Sequence, residues 1–295
     1  MTTPAPPGLV RPDTDPLPDP VALDGGLGHL RRAVAYSAPP GFRPLELDLY
    51  TPAGPPAPVI LFVHGGGWRM GTREVFVPTL RDWRPGPFHR LVAAGFAVAS
   101  IDYRLSAEAV FPAQLDDVRA AAGFLLARAD ELGVDATRVV AWGESAGAHL
   151  AALLGLTDSA AVAGVVDWYG PADLTTLAAQ ALPTAIARSD APDSRESQLI
   201  GAPLAEAVES ARRASPVAYV RPGAPPFHIA HGDADRFVPA AQSRQLAAAL
   251  RDAGAVVELT EVPGADHLWM NAPDPEAIFD AAVAFVRRVT ARTTL

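Results

Sequence analysis

The sequence contains no cysteine, and its 24 basic residues are all arginine because lysine is absent as well. Without cysteine, the chain has no disulfide bond, no thiolate nucleophile and no cysteine-ligated metal site. Its 33 acidic residues give a formal net charge of −9. Nucleic-acid binding requires a basic surface, so this charge balance argues against that class of partner.

Long hydrophobic runs are missing too. No segment reaches the roughly 18 consecutive apolar residues that a transmembrane helix needs, so we expect no membrane span. The first 20 residues are rich in proline and aspartate and lack the charged start and apolar core of a secretory signal. We therefore expect a cytoplasmic location, with secretion left open for a shortened sequence, and a proline-rich arm over residues 1–32.

The remaining composition is that of a folded enzyme-sized domain. Hydrophobic residues make up 49% of the chain and charged residues 19%, which is enough for a large core. Apolar runs typical of buried strands, such as Val59–Val63, alternate with helical segments such as Ala113–Leu132. This alternation predicts an α/β domain over residues 33–295, with helices on both faces of a mostly parallel sheet. Residues 170–215 interrupt the alternation, which indicates an insertion or lid.

The sharpest local motif is GESAG at Gly143–Gly147, between the predicted strand Arg138–Trp142 and an apolar helix. A serine in G-x-S-x-G in this setting is typical of the nucleophile of a serine hydrolase. The flanking glycines permit a tight turn that projects the Ser145 hydroxyl. The Ala146 N–H, at the start of the helix, then lies near a developing oxyanion. For this motif alone, a helix-capping serine is the alternative.

Three further loops follow predicted strands, and the carboxyl ends of parallel strands meet at one edge of the sheet. The sequence HGGG at His64–Gly67 leaves the N–H groups of Gly66 and Gly67 bare, as in the second half of an oxyanion hole. The segment His231–Asp235 supplies an acid, and His267 supplies a base. Serine, aspartate and histidine thus occur in the order expected for this class of hydrolase.

These motifs resemble the α/β-hydrolase superfamily, and within it the bacterial carboxylesterases related to hormone-sensitive lipase, in the feruloyl-esterase-like branch. The resemblance rests on VILFVHGGGW, VVAWGESAGAHLAALLG, DWYGPADL, and HGDADRFVP with GADH. It implies an α/β-hydrolase fold of about eight strands with a small lid after the sixth. It favours Asp235 over Asp233 because the acid of this pattern precedes x-x-V-P. The implied nucleophile, acid, base and oxyanion-hole residues are Ser145, Asp235, His267, Gly66, Gly67 and Ala146.

The expected function is hydrolysis of small to medium carboxylic esters through an acyl-serine intermediate, with neither a metal nor another cofactor. The partner is then a small-molecule ester, and a homo-oligomer is left open. An amidase, a thioesterase or an acyl-transfer enzyme with the same triad is the alternative within enzymes. A catalytically silent binding protein of this fold is the alternative outside them.

Aromatic and histidine residues near the predicted catalytic loops complete the expected site. Trp68, Trp168 and Trp269 are candidates for lining the substrate pocket, because each lies close in sequence to one of these loops, and packing in the core is the alternative for each. His149 lies one helical turn after Ser145, and we predict that it packs in the core rather than acting as the base.

Overall fold

The computed structural model describes residues 10–158 and 160–292. Its strands form one sheet and are, in chain order, β1 (Val21–Ala22), β2 (Gly28–Ser37), β3 (Leu45–Pro52), β4 (Ala57–Val63), β5 (Ala97–Ile101), β6 (Val134–Glu144), β7 (Gly164–Trp168), β8 (Phe227–Gly232) and β9 (Val257–Val262). Across the sheet their order is β1-β2-β3-β5-β4-β6-β7-β8-β9.

The sheet is antiparallel on one side and parallel through the rest of its width. The pairs β1–β2, β2–β3 and β3–β5 are antiparallel. The pairs β5–β4, β4–β6, β6–β7, β7–β8 and β8–β9 are parallel. Every side chain from Val59 to Val63 in β4 is 0% exposed. A strand covered on both faces needs such an unbroken apolar run. The predicted α/β class with a mostly parallel sheet is therefore confirmed.

Helices pack on both faces of the sheet. The α-helices of the described residues are, in chain order, α1 (Pro87–Ala93), α2 (Ala113–Ala127), α3 (Ala129–Leu132), α4 (Ala146–Thr157), α5 (Arg195–Ile200), α6 (Val208–Arg213), α7 (Ala240–Asp252) and α8 (Pro275–Thr290). Within this part of the chain, no helix combines the length and the apolar character needed to cross a membrane.

The core lies in two layers, one on each side of the sheet. Leu61 of β4 belongs to the layer that α2, α4 and α7 cover, together with Leu150 of α4. The next residue, Phe62, belongs to the opposite layer with Leu91 of α1 and Phe279 of α8. This division follows from the alternation of side chains along a strand. The most buried helix, α4, extends from the carboxyl end of β6, so its first residues are fixed by packing.

The structure differs from the predictions in the number of strands, in the end of the arm and in the position of the interruption. The sheet has nine strands rather than about eight, and the predicted end of the arm at residue 32 falls inside β2. The two-residue strand β1 has no periodicity to reveal it, and residues 1–9 of the predicted arm lie outside the described residues. The interruption at 170–215 follows the seventh strand, β7, and not the sixth.

The predicted helix Ala113–Leu132 is two helices, because Arg128 leaves helical geometry at φ −114° and ψ 21°. Its buried guanidinium donates hydrogen bonds to the carbonyl oxygens of Pro12 (2.7 Å) and Asp15 (3.0 Å). These bonds hold the N-terminal segment against the end of α2. The helix break thus places a cation where it satisfies backbone acceptors of the arm.

The insertion at 170–215 is tied to the body of the domain by buried polar contacts. The Gln242 carbonyl oxygen accepts from the backbone N–H groups of Ala172 (2.8 Å) and Asp173 (2.7 Å). At its other end, the His149 ring bonds the Ala214 carbonyl at 2.6 Å. The insertion is therefore anchored near both of its ends.

The burial of α4 leads to a prediction about stability. Leu153 is 0% exposed, so Leu153→Ala removes packed methyl groups and leaves a cavity, which costs about 2–5 kcal/mol of unfolding free energy. Leu126→Ala is the matched control, because Leu126 is helical but 61% exposed; it changes stability by about 0.5 kcal/mol or less. Denaturant unfolding measures both, and equal losses in the two variants would contradict the assigned core.

Candidate active site

Ser145 lies in a strained turn between β6 and α4. Its backbone has φ 53° and ψ −120°, a conformation that residues other than glycine rarely adopt. A Cβ atom on Gly143 would overlap the backbone of Gly147, and one on Gly147 would overlap the carbonyl of Val63. Only glycine at these two positions lets the helix approach the strands this closely. The close approach explains the G-x-S-x-G pattern and leaves the serine at the edge of the sheet.

The serine begins a continuous chain of hydrogen bonds. Its Oγ lies 2.9 Å from His267 Nε2, and His267 Nδ1 lies 2.7 Å from Asp235 Oδ2. The other carboxylate oxygen of Asp235 accepts from the backbone N–H groups of Phe237 (2.8 Å) and Val238 (2.9 Å). The structure thus brings together the three residues that the sequence predicts as nucleophile, base and acid. An imidazole between a hydroxyl and a carboxylate can move a proton from the hydroxyl.

Asp235 is stabilised as an anion although it is buried. Burial acts to raise the pKa of its carboxyl, but hydrogen bonds from His231 and His267 outweigh this and hold the pKa well below its usual range. His231 Nε2 lies 3.3 Å from Asp235 Oδ2. His231 was not among the residues predicted for the site. Its position at the start of the acid loop was the available signal.

The acid loop and the histidine loop are joined by contacts of their own. Arg236 bonds Asp266 through its backbone N–H (2.9 Å) and its guanidinium (2.6 Å). Asp233 accepts from the N–H of Gly264 at 2.7 Å. Asp233 therefore braces the neighbouring loop, while Asp235 faces the imidazole. This arrangement fits the preference for Asp235 as the acid.

The glycine loop after β4 lies against the serine turn. Gly66 and Gly67 have φ of 104° and 61°, which favour glycine, and both line the same cavity as Ser145 and Ala146. The Tyr103 hydroxyl donates to the His64 carbonyl at 3.1 Å and supports the start of the loop. The three N–H groups predicted for the oxyanion hole thus belong to residues that border the nucleophile.

Glu144 connects the two halves of this arrangement. Its Oε1 accepts from the backbone N–H of Gly65 at 2.6 Å, and a Cβ on Gly65 would overlap its carboxyl group. Burial raises the pKa of Glu144 to about 7, against the opposing effect of the Gly65 N–H. Glu144 is therefore a positioning residue that fixes the glycine loop relative to the serine.

The site opens into a small cavity of about 170 Å³. Besides the serine, the histidine and the oxyanion loop, its walls include residues from the insertion and the acid loop. These additional lining residues are Trp68, Arg69, Met70, Pro171, Arg195, Glu196, Phe237, Val238 and Leu268. Neither Arg195 nor Phe237 was predicted to line the site. Arg195 lies in the irregular segment 170–215, and Phe237 lies two residues after Asp235, where the sequence does not decide which side chains face the cavity.

Of the three tryptophans predicted to line the pocket, only Trp68 does so. Trp168 is 0% exposed and Trp269 is 3% exposed, and their rings pack edge to face at 5.4 Å. Both lie in the core layer that α1 and α8 cover. Trp68 Nε1 bonds His149 Nδ1 at 3.3 Å. His149 thus has the packing role that was predicted for it.

Comparison with known proteins places the chain in a family. The BD-FAE family model matches residues 47–250, which contain the glycine loop, the serine turn and the acid loop. The chain belongs to the BD-FAE family. This confirms the resemblance to α/β-hydrolase carboxylesterases. Esterase LipQ of Mycobacterium tuberculosis is 33% identical over 288 residues, an alignment that covers 86% of this BD-FAE protein and 62% of LipQ.

Solved structures agree on the fold of this BD-FAE protein. A truncated carbohydrate esterase from gut microbiota matches with a TM-score of 0.77 and 26% identity, covering 94% of this chain and all of the other. A bacterial heroin esterase matches with a TM-score of 0.69 and 26% identity, covering 91% and 86% of the two chains. These matches confirm the α/β-hydrolase fold. The chain spans 49% to 62% of the length of the first three curated relatives.

The raised pKa of Glu144 predicts a pH dependence of stability. A carboxyl whose pKa is higher in the folded state stabilises the fold when protonated, and this stability is lost as pH rises through about 7. Glu144→Gln keeps the acceptor for Gly65 but cannot ionise. Between pH 5 and pH 8, we expect the unfolding free energy of the variant to rise relative to that of the wild type by an amount on the order of 2–3 kcal/mol. Denaturant unfolding across this range measures the difference, and a pH-independent difference would contradict the assignment.

Proposed function

We propose that this protein hydrolyses carboxylic esters through an acyl-serine intermediate, with Ser145 as nucleophile, His267 as base and Asp235 as the residue that orients it. The observation that carries the proposal is the unbroken hydrogen-bond chain from Ser145 Oγ through His267 to Asp235. This chain ends in a cavity bordered by the glycine loop. The esterase names of LipQ and of the matching structures support the same reaction class.

In the first half-reaction, Ser145 Oγ attacks the carbonyl carbon of the ester while His267 Nε2 accepts the hydroxyl proton. The carbonyl oxygen becomes an oxyanion, which the N–H groups of Gly66, Gly67 and Ala146 stabilise. When the intermediate collapses, the bond to the alkoxy oxygen breaks. His267 returns its proton to that oxygen, so a neutral alcohol leaves and the acyl group stays on the serine.

Water takes the place of the alcohol in the second half-reaction. His267 removes a proton from the water, whose oxygen attacks the acyl carbon, and the same N–H groups stabilise the second oxyanion. Collapse breaks the bond to Ser145 Oγ, which regains its proton from His267. The free acid is released, and the mechanism uses only protein groups and water.

The size of the cavity sets the expected class of ester. The cavity volume is about 170 Å³. Pockets that bind drug-sized ligands typically have volumes of about 300–1,000 Å³, so this cavity is smaller. This favours small acyl groups, such as acetyl or butyryl, on sugar or aryl alcohols. Bulkier parts of a substrate extend beyond the cavity.

Removal of the nucleophile tests the proposal directly. Ser145→Ala should lower hydrolysis of 4-nitrophenyl acetate by about 10⁴-fold or more, because no other group supplies the attacking oxygen. Ser37→Ala is the matched control, since Ser37 lies in β2 away from the cavity, and it should keep full activity. A fluorophosphonate should label the wild type at Ser145 alone. Undiminished turnover by Ser145→Ala, or labelling at another serine, would refute the assigned nucleophile.

The acid can be tested separately from the nucleophile. Asp235→Asn keeps the size of the side chain but removes the charge that stabilises the His267 cation and fixes its tautomer. We expect kcat to fall about 10³–10⁴-fold, while fluorophosphonate labelling of Ser145 slows. Asp233→Asn is the control, because its carboxylate contacts Gly264 and not the imidazole. A larger loss of kcat in Asp233→Asn than in Asp235→Asn would reverse the assignment of the acid.

A further inference from the structure

Two arginine side chains line the cavity without a carboxylate partner. Arg69 and Arg195 both border the cavity, and neither takes part in the ion pairs within 4.0 Å that the described residues form. Other arginines near the sheet edge are paired: Arg104 with Asp117 at 2.6 Å and Arg236 with Asp266 at 2.5 Å. The cavity of a chain with net charge −9 thus contains two cations that form no close ion pair.

Arg195 lies against the glycine loop and against the Phe237 ring, which in turn neighbours His267. Its Cδ lies so close to Gly67 that a Cβ on that glycine would overlap it. Its guanidinium lies 5.2 Å from the centre of the Phe237 ring, and the Phe237 ring lies 5.2 Å from the His267 ring. The half-buried cation therefore forms the wall between the glycine loop and the histidine.

One acidic residue, Glu196, also lines the cavity, and it does not neutralise the two arginines. Its side chain is buried, and burial raises the pKa of its carboxyl against the effects of Arg195 and Arg69. When Glu196 is ionised, the two arginines still leave the lining with an excess positive charge. When it is protonated, the excess is larger.

We propose, on the basis of the proposed ester hydrolysis, that this site acts on esters that carry a carboxylate, and that Arg195 binds this carboxylate with support from Arg69. A guanidinium presents paired N–H groups that match the two oxygens of a carboxylate. Its partial burial beside Gly67 strengthens the attraction relative to bulk water. The carboxylate belongs to the acyl or to the alcohol part of the ester, and the two are distinguished by experiment.

A purely structural role for Arg195 makes a different prediction. If its stacking on Phe237 merely supports the cavity wall, its loss lowers turnover of anionic and neutral esters alike. If it binds the substrate, the loss falls mainly on anionic esters. The ratio of kcat/KM between an anionic ester and a neutral ester of the same shape therefore separates the two roles.

The experiment uses two matched pairs of substrates on the full chain. In the first pair, monomethyl succinate carries a carboxylate on the acyl part and methyl butyrate has a methyl group there. Release of acid from both is followed by titration. In the second pair, 4-acetoxybenzoate carries a carboxylate on the alcohol part and 4-methylphenyl acetate has a methyl group there. Release of the phenol from both is followed by absorbance. Wild type, Arg195→Gln, Arg195→Lys and the exposed control Arg221→Gln are compared.

We expect Arg195→Gln to lower the anionic-to-neutral ratio about tenfold in at least one pair, which identifies the part of the ester that carries the carboxylate. Arg195→Lys should restore part of the ratio, and Arg221→Gln should leave it at the wild-type value. Added salt should lower the wild-type ratio, because it screens the attraction.

An unchanged ratio in both pairs, or an equal loss on anionic and neutral esters, would overturn the carboxylate proposal. Ester hydrolysis itself would still stand in that case, because the wild type turns over the neutral esters. Absence of turnover by the wild type on all four esters would overturn both proposals.

Discussion

The left-handed backbone of Ser145 is the constraint on which the rest of the site depends. This conformation is unfavourable for serine by itself, so the surrounding structure must hold it. The holding elements are β6 and α4, whose residues at the turn are almost wholly inaccessible to solvent. Gly143 and Gly147 let these elements approach until there is no space for a Cβ atom. Burial of the helix thus supplies the free energy that keeps the serine strained and projecting.

Two buried carboxyl groups near this turn have pKa values shifted in opposite directions, and their hydrogen-bond donors explain the difference. Asp235 receives two backbone N–H groups and two imidazole rings, so its charge is favoured despite burial. Glu144 accepts a hydrogen bond from the N–H of Gly65, but the effect of burial is larger, so the pKa of its carboxyl is raised. The first carboxyl is suited to stabilising a cation on His267, and the second to bracing a loop. The same side-chain chemistry serves two purposes because the number of donors differs.

The sequence was sufficient for the parts of the site that lie in loops directly after parallel strands. Ser145 and His267 could be brought together in advance because such loops share one edge of the sheet. Trp168 could not be placed, since its nearness in sequence to a catalytic loop does not decide which layer its side chain enters. Arg195 belongs to a segment without periodicity, and only tertiary folding carries it to Gly67. The strand Val21–Ala22 is too short to produce a pattern at all.

The pairing of Val63 with Gly143 fixes where the glycine loop and the serine turn leave the sheet. Sliding β4 against β6 by one residue would turn each side chain of β4 to the opposite layer and would separate Gly65 from Glu144. The N–H groups and the hydroxyl are consequently set in place by strand alignment. If the proposed hydrolysis is correct, recovery of activity after denaturation therefore follows the final alignment of the central strands.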